Sequence, residues 1–209
     1  MLLKSNNKPV STDKSLVSRS QNGEREAFAQ LVKRHQSNLM NYIIKMTRDM
    51  SLTEDIVQEA MLKAYLKIGT FQGKSSFKSW LFRIGINTAK NKLRATKRIS
   101  VNIDDVNLSI TSEVENNLYK EKLKGCIESR IEYLPHKQKH ALMLRIFEDM
   151  SFKEIADIMN SPYDTAKANY RHALLKLRES IKGDELFKEW FELLDRDRGA
   201  ELVSGDTHF

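Results

Sequence analysis

The chain has 209 residues, with 35 Lys or Arg against 28 Asp or Glu and a net charge of +7 at pH 7. Its hydrophobic content of 40% and its 3 prolines are typical of a folded protein and not of a low-complexity chain. The single cysteine, Cys126, excludes an internal disulfide and a cysteine-based zinc site. Because no apolar run approaches about 18 residues, we expect no membrane insertion. The N-terminal residues MLLKSNNKPV contain no apolar h-region, so we expect no secretory signal and a cytoplasmic location.

Most of the positive charge lies in residues 1–98, which carry 19 basic and 7 acidic side chains. No acid occurs between Glu59 and Asp104, and that window contains ten bases. A charged run is usually a solvated face, but a helix that is only solvated normally mixes both signs. An acid-free window of this length therefore indicates a polyanionic partner, most simply nucleic acid.

Apolar spacing predicts helices nearly throughout, so we expect an all-α fold made of two small domains. Residues 1–98 form the first predicted domain. A turn at residues 22–23 precedes its first long helix, and a capping box at Ser51–Glu54 opens the next one. Residues 69–76 are a predicted loop, and a further helix starts at Phe77.

The second predicted domain comprises residues 119–182, after a flexible acidic linker over 99–118. Within it, a helix of about 136–148 precedes a helix, a tight turn and a second helix over residues 151–180, which is the layout of a helix-turn-helix. A capping box at Ser151–Glu154 opens the first of these helices. The turn carries Ser161-Pro162, a predicted N-cap followed by a proline in the first helical position.

The second helix of this pair has long polar side chains near its start, namely Lys167, Asn169, Arg171 and His172. Asn and Arg can each read base edges with two hydrogen bonds, whereas Lys mainly neutralises phosphate. The pattern indicates duplex DNA binding. Helix-turn-helix shapes that serve only for packing also exist, and His172 fits a plain surface residue equally well.

The run from Leu134 to Arg178 resembles the fourth-region DNA-binding domain of bacterial sigma factors. The matching features are Leu134-Pro135, Arg145, Ser151, Glu154-Ile155-Ala156, Thr165 and Lys167. An upstream stretch resembles the second region of the same family through Asp55, Gln58, Glu59, Phe71, Phe77, Trp80, Leu81, Arg83, Ile84 and Asn87. Since one short linker joins the two regions, with no third-region domain between them, the arrangement resembles the extracytoplasmic-function (ECF) class.

The resemblance implies a transcription initiation factor with core RNA polymerase and promoter DNA as partners. It implies docking on the β′ clamp helices through Asp55, Gln58 and Glu59, and a further contact with the β flap. The implied minus-ten and melting residues are Phe71, Lys74, Arg83, Asn87, Lys90, Lys92, Arg94, Lys97 and Arg98. The implied minus-thirty-five residues are Thr165, Lys167, Asn169, Arg171 and His172. An anti-sigma factor is a further partner that the resemblance allows.

Other interpretations of these residues remain open from the sequence. Phe77, Trp80 and Ile84 have the helical spacing of core residues, and the polar residues implied in polymerase binding could form a solvated face. The loop at 69–76 could be a plain connector. We expect no catalytic residue, metal or cofactor, since no glycine-rich phosphate loop, ligand cluster or nucleophile–base pair occurs.

The main alternative function is a stand-alone helix-turn-helix regulator that acts without sigma activity, and an enzyme acting on nucleic acid is a distant third. The basic loop and helix argue against the regulator, because a protein that binds only duplex DNA needs no surface for trapping a single strand.

The acidic tail, residues 183–209, has no counterpart in the two-domain plan. An amphipathic helix is predicted over 184–195, with Trp190 and Phe191 on its apolar side. Such a short helix must dock on something to be stable. It either folds back over the basic domains, where it would screen them, or caps the apolar face of the second domain.

Overall fold

The computed structural model describes residues 11–99 and 130–180, except for the side chains of 96–99. Apart from Ile99, the predicted acidic linker lies outside these residues, as does the predicted tail helix. Contacts divide the chain into two compact units. Among the described residues, one unit holds 11–99 with Lys153–Ser161, and the other holds 130–152 and 162–180.

Every regular element in the described part of the chain is helical, which confirms the all-α prediction. In chain order the helices are α1 (Asp13–Gln21), α2 (Arg25–Thr47), α3 (Met50–Lys67), a 3₁₀ turn (Ile68–Thr70), α4 (Phe77–Ile99), α5 (His136–Ile146), α6 (Phe152–Met159) and α7 (Tyr163–Ser180).

The core of the first unit forms where α2 packs against α1, α3 and α4, and where α3 packs against α4. Its fully buried side chains include Leu16, Leu31, Leu39, Tyr42, Ile43, Ile56, Leu81 and Phe82. Helices α2 and α4 approach each other closely at Gly85, where an added β-carbon would lie 2.8 Å from Leu39 Cδ1. This contact places the solvent-facing side of α4 on a rigid support.

Two details of the first unit differ from the sequence prediction. The N-cap of α3 is Asp49 and not Ser51, because the Asp49 carboxylate accepts a hydrogen bond from Leu52 N at 3.0 Å. Aspartate caps a helix as well as serine does. Helix α1 was not predicted as a separate element, although Thr12 caps its first turn by accepting from Ser15 N.

The second unit is built on the packing of α5 against α7. Buried Arg145 links α5 to the following loop, since its Nη1 donates to Met150 O at 2.9 Å and its guanidinium lies 5.1 Å from the Phe152 ring centroid. The same ring lies 5.3 Å from that of Tyr170 on α7. Arg145 and Phe152 therefore link α5 and the loop that follows it to α7.

The predicted helix pair is present, with α6 ending at Met159 and α7 beginning at Tyr163. The predicted cap at Ser161 is wrong in one respect, because its buried hydroxyl has no hydrogen-bond partner among the described residues. Asn160 at φ 50° instead makes the turn, in the left-handed conformation that Asn tolerates better than most residues.

Candidate nucleic-acid and polymerase interfaces

Helix α4 carries a row of polar and basic side chains along one face. Successive residues of an α-helix are rotated by about 100°, so Arg83, Asn87, Lys90 and Arg94 lie within a narrow sector. Arg83, Asn87 and Arg94 are exposed, and Lys90 is half-buried. The helix contains no acidic residue in its sequence. We call these four residues the α4 stripe.

Within the α4 stripe, the surroundings of Lys90 disfavour its positive charge. Burial lowers the pKa of Lys90, and the positive charge of Arg94 one turn away lowers it further. Both effects disfavour the charged ammonium group, and an anion placed against this surface would offset them by favouring the charged form. A nucleic-acid phosphate is such an anion.

The loop that precedes α4 begins with a half-buried aromatic residue, Phe71. Its ring centroid lies 5.0 Å from that of Trp80 and 6.3 Å from that of buried Phe77. The burial of Phe77 agrees with its interpretation as a core residue. Gly73 has φ +68°, and Lys74 after it is exposed. The loop thus has one aromatic anchor and a solvent-facing middle with a cation.

Lys92 lies on the opposite side of α4 from the stripe. Its Nζ lies 3.4 Å from Glu59 Oε2 and 3.9 Å from Asp55 Oδ2 on α3. A hydrogen bond from Lys63, at 2.5 Å, and one from Lys92 lower the pKa of Glu59 despite partial burial. Lys92, implied as a DNA contact, is therefore grouped with the residues implied in polymerase binding. The side chains of Lys97 and Arg98 lie outside the described part of the chain.

The solvent-facing side of α3 combines acids with exposed apolar groups. Asp55, Gln58 and Glu59 share their face with Leu62, Tyr65 and Leu66, whose exposed fractions are 58%, 41% and 72%. We call these six residues the α3 face. The three apolar residues were not predicted to take part in binding. The sequence feature that could have revealed them is that Leu62 and Leu66 fall outside the set of apolar residues that the helix buries. Exposed apolar groups that cluster mark interaction sites.

The five predicted minus-thirty-five residues occupy two flanks of α7. Thr165, Asn169 and His172 lie in one row along the helix, and Lys167 and Arg171 lie in another. The buried face of the helix separates Asn169 from Lys167. The Asn169 amide donates to Thr165 O at 2.9 Å. The second proton of this amide nitrogen and the amide oxygen can still bind a base edge while that contact is kept.

Comparison with known families matches both units. Residues 31–99 match the family Sigma-70 region 2, and residues 124–177 match the family Sigma-70, region 4. The α3 face and the α4 stripe lie in the first match, and α7 as far as Leu177 lies in the second.

Several curated proteins are similar over most of the chain. The RNA polymerase sigma-H factor of Pseudomonas aeruginosa is 33% identical over 81% of this chain and 91% of its own. The ECF RNA polymerase sigma-E factor of Haemophilus influenzae is 36% identical over 82% and 94%, and that of Escherichia coli K12 is 35% identical over 81% and 92%.

Two solved structures share the fold. CnrH, in complex with the cytosolic domain of CnrY, has a TM-score of 0.60 and 21% identity, and the match covers 83% of this chain and 99% of CnrH. The sigma factor RpoE of Bartonella quintana, in complex with the anti-sigma factor NepR, has a TM-score of 0.61 and 24% identity over 76% of this chain and 98% of RpoE.

In the described ranges, none of the helices has the length and apolar character that crossing a membrane requires. The two family matches occur in the order in which sigma factors carry them, and the relatives above are between 33% and 36% identical to the chain. The chain belongs to the extracytoplasmic-function class of RNA polymerase sigma factors, which are not enzymes but bind core RNA polymerase and direct promoter recognition, DNA melting and transcription initiation.

Proposed function

We propose that the α4 stripe and the loop before it hold the melted minus-ten strand, that the α3 face binds core polymerase, and that α7 reads the minus-thirty-five duplex. The division into residues 1–98, 99–118, 119–182 and 183–209 is part of this proposal. The observation that carries it is the α4 stripe, in which two exposed arginines and the half-buried Lys90 lie beside an amide on a helix without an acid.

A melted strand must have its bases removed from the stack while cations hold its backbone. Arg83 and Arg94 lie at the two ends of the described stripe, with Asn87 between them. The cations suit phosphates, and an exposed amide can donate to and accept from a base edge. Lys97 and Arg98 extend the same basic sequence beyond the described side chains, and we propose that they also contact the backbone.

The loop supplies the site for an unstacked base. Phe71 is held by Trp80 and Phe77, so it provides a fixed aromatic wall. A base placed beside it can stack, and Lys74 is exposed close by along the chain for a phosphate. Asn87 would then provide the hydrogen bonds that distinguish the captured base.

The α3 face suits a protein partner better than it suits DNA. Its acids repel phosphate, and its exposed leucines and tyrosine supply apolar area of the kind that concentrates binding energy at protein interfaces. We propose that Leu62 and Leu66 join Asp55, Gln58 and Glu59 in binding the β′ clamp helices. We place Lys92 with this group, through its ion pair with Glu59, and not with the DNA contacts.

On α7, we propose that Asn169 and Arg171 read bases, while Lys167 contacts phosphate and Thr165 and His172 border the contact. Core polymerase works in the cytoplasm, so we propose that the chain acts there. The solved neighbours CnrH and RpoE are each in complex with another protein, an anti-sigma factor in the case of RpoE. By analogy we propose that an anti-sigma factor also binds this chain, and that the β flap contacts its second domain.

A site-specific photo-crosslinker tests the assignment of the two faces of α4. The holoenzyme is reconstituted from the chain and core polymerase, on a promoter selected from random DNA. A crosslinker at Asn91, which is exposed next to the stripe, should label the non-template strand. The same crosslinker at Lys92, one residue further along and on the opposite side, should label polymerase and not DNA. DNA labelling from Lys92 alone would overturn the proposed orientation of α4.

A further inference from the structure

The first helix, α1, lies outside residues 31–99, which match Sigma-70 region 2. It nevertheless contacts the elements on both sides of the loop of residues 71–76. It packs against α2, against the 3₁₀ turn and against α4. Its last residue, Gln21, is the one that touches the start of the loop through hydrogen bonds.

The side-chain amide of Gln21 binds two backbone carbonyls of this segment. Its Nε2 donates to Ile68 O at 3.0 Å and to Phe71 O at 2.8 Å. An amide nitrogen carries two protons, so both are used. Phe71 N also donates to Ile68 O, at 3.1 Å. Gln21 thus closes the turn and fixes the backbone of the residue with which the loop begins.

The opposite end of α1 is fixed to α2. Asp13 Oδ1 accepts from Arg34 Nη1 at 2.8 Å, and Asp13 Oδ2 lies 2.6 Å from His35 Nε2. Leu16 and Val17 are buried between these contacts and Gln21. Because α1 is held at its start and along its length, the Gln21 side chain extends from a rigid support.

Phe71 is therefore held in two independent ways. Gln21 binds its carbonyl, while its ring packs on Trp80 and Phe77. The Phe77 ring lies 5.6 Å from that of His35, the partner of Asp13. Helix α1 thus contacts the loop backbone through Gln21, and through Asp13 and His35 it reaches the aromatic side chains behind the loop.

We propose that Gln21 is a positioning residue for promoter opening, which orders the loop of residues 71–76 before DNA arrives. This inference rests on the proposed function of the loop in capturing a base. A loop that is already ordered loses less conformational entropy when it takes up a ligand, so capture of the unstacked base is favoured. Gln21 itself touches no DNA in this proposal and acts through the backbone of Phe71.

Two variants of the full chain test the role of Gln21. Gln21→Glu keeps the shape but can only accept hydrogen bonds, and Gln21→Ala removes the donors without adding charge. Gln36→Glu is the matched control, since it makes the same charge change at an exposed position of α2. Hydrogen exchange of the free protein reports loop order over residues 68–76. Permanganate reactivity of a selected promoter, bound by reconstituted holoenzyme, reports opening.

Both Gln21 variants should speed exchange in the loop and lower the equilibrium constant for opening about five- to ten-fold, the effect expected from one or two hydrogen bonds. Core binding should be unchanged, and Gln36→Glu should behave as the wild type. Normal exchange, or faster exchange with normal opening, would overturn the role of Gln21. The base-capture function of the loop would still stand in that case if Phe71→Ala impaired opening. If Phe71→Ala opened the promoter normally as well, the base-capture function of the loop would fail too.

Discussion

Glu59 Oε2 on α3 lies 3.4 Å from Lys92 Nζ on α4. This contact separates Lys92 from Arg94, which is two residues further along and exposed on the α4 stripe. Two cations of the same helix thus differ, since Lys92 pairs with an acid of α3 and Arg94 lies on a row that holds no acid. They provide a matched pair of substitutions.

Arg94→Ala should weaken holoenzyme binding to promoters of every sequence and lower the slope of log K against log salt by about one unit, as expected for one lost phosphate contact. Lys92→Ala should leave that slope unchanged, because its ammonium pairs with Glu59. Filter binding across a salt series measures both slopes. An equal loss for Lys92→Ala would restore Lys92 to the DNA contacts that the family resemblance implied.

Asn87→Ala should impair strand opening with little effect on the salt slope, because an amide carries no charge to exchange with counterions. The loss of hydrogen bonds to one base should cost about 1–3 kcal/mol of opening free energy. Permanganate footprinting of thymines near the minus-ten element measures this. Normal melting by Asn87→Ala would remove this residue from the proposed base pocket.

The pair Leu62→Ser and Leu66→Ser, made together, should weaken binding to core polymerase about ten-fold or more, as expected when central apolar contacts of an interface are lost. Both side chains are exposed in the free chain, so its thermal unfolding should change little. Met50→Ser is the control, since Met50 is 51% exposed on another side of α3. Equal core affinity for the leucine variant and for Met50→Ser would argue against the α3 face.

Asn169→Arg should change which bases are preferred in the upstream element, because a contact made through two hydrogen bonds contributes about 1–3 kcal/mol of discrimination. Selection from a library with a randomised upstream element gives the preference of each holoenzyme. Lys167→Ala should weaken binding on all upstream sequences alike. An unchanged preference for Asn169→Arg would mean that Asn169 keeps its contact with Thr165 O and reads no base.

Asp13→Asn should destabilise the first domain by about 0.5–1.5 kcal/mol near neutral pH, through loss of the charge-assisted contacts with Arg34 and His35. Burial alone would raise the pKa of Asp13, but the two hydrogen bonds and the two charges outweigh it and hold the pKa below 3.8. A carboxyl group whose pKa is lower in the folded chain than in the unfolded chain stabilises the fold above its unfolded pKa. This stabilisation is lost as the pH falls through the folded pKa.

The difference in unfolding free energy between wild type and Asp13→Asn should therefore shrink as the pH is lowered below about 4. Urea unfolding followed by Trp80 fluorescence in a Trp190→Phe background reports on the first domain by itself. A difference that stays constant from neutral to acid pH would show that the Asp13 charge contributes nothing.

Helices α2 to α7 and the acid-free, basic character of α4 could be predicted from the sequence because they depend on the pattern along one element, whereas α1 was missed. Arg83, Asn87 and Arg94 recur at helical intervals, and no acid interrupts them. The environment of Lys92 could not be predicted, since its partner Glu59 lies on another helix. Leu62 and Leu66 show the same difficulty, because an exposed leucine and a buried one look alike until the packing partners of α3 are known.

The role inferred for Gln21 was also beyond the sequence. A glutamine at the end of a short helix is unremarkable by composition, and its significance comes from two carbonyls, those of Ile68 and Phe71, that the fold brings within reach. The N-cap of α3 was misplaced for a more local reason. Asp49 and Ser51 are both good caps, and the choice depends on where α2 ends, at Thr47, with Arg48 after it at φ 56°.

The most direct test of the account is a comparison of the chain alone, core polymerase alone and the two together on one selected promoter. Permanganate reactivity of the minus-ten thymines is measured in each case. We expect reactive thymines and specific transcripts only with the combined proteins, and only weak duplex binding by the free chain. Specific sub-micromolar duplex binding by the free chain, with no melting and no co-purification with core, would contradict the account and favour a stand-alone regulator.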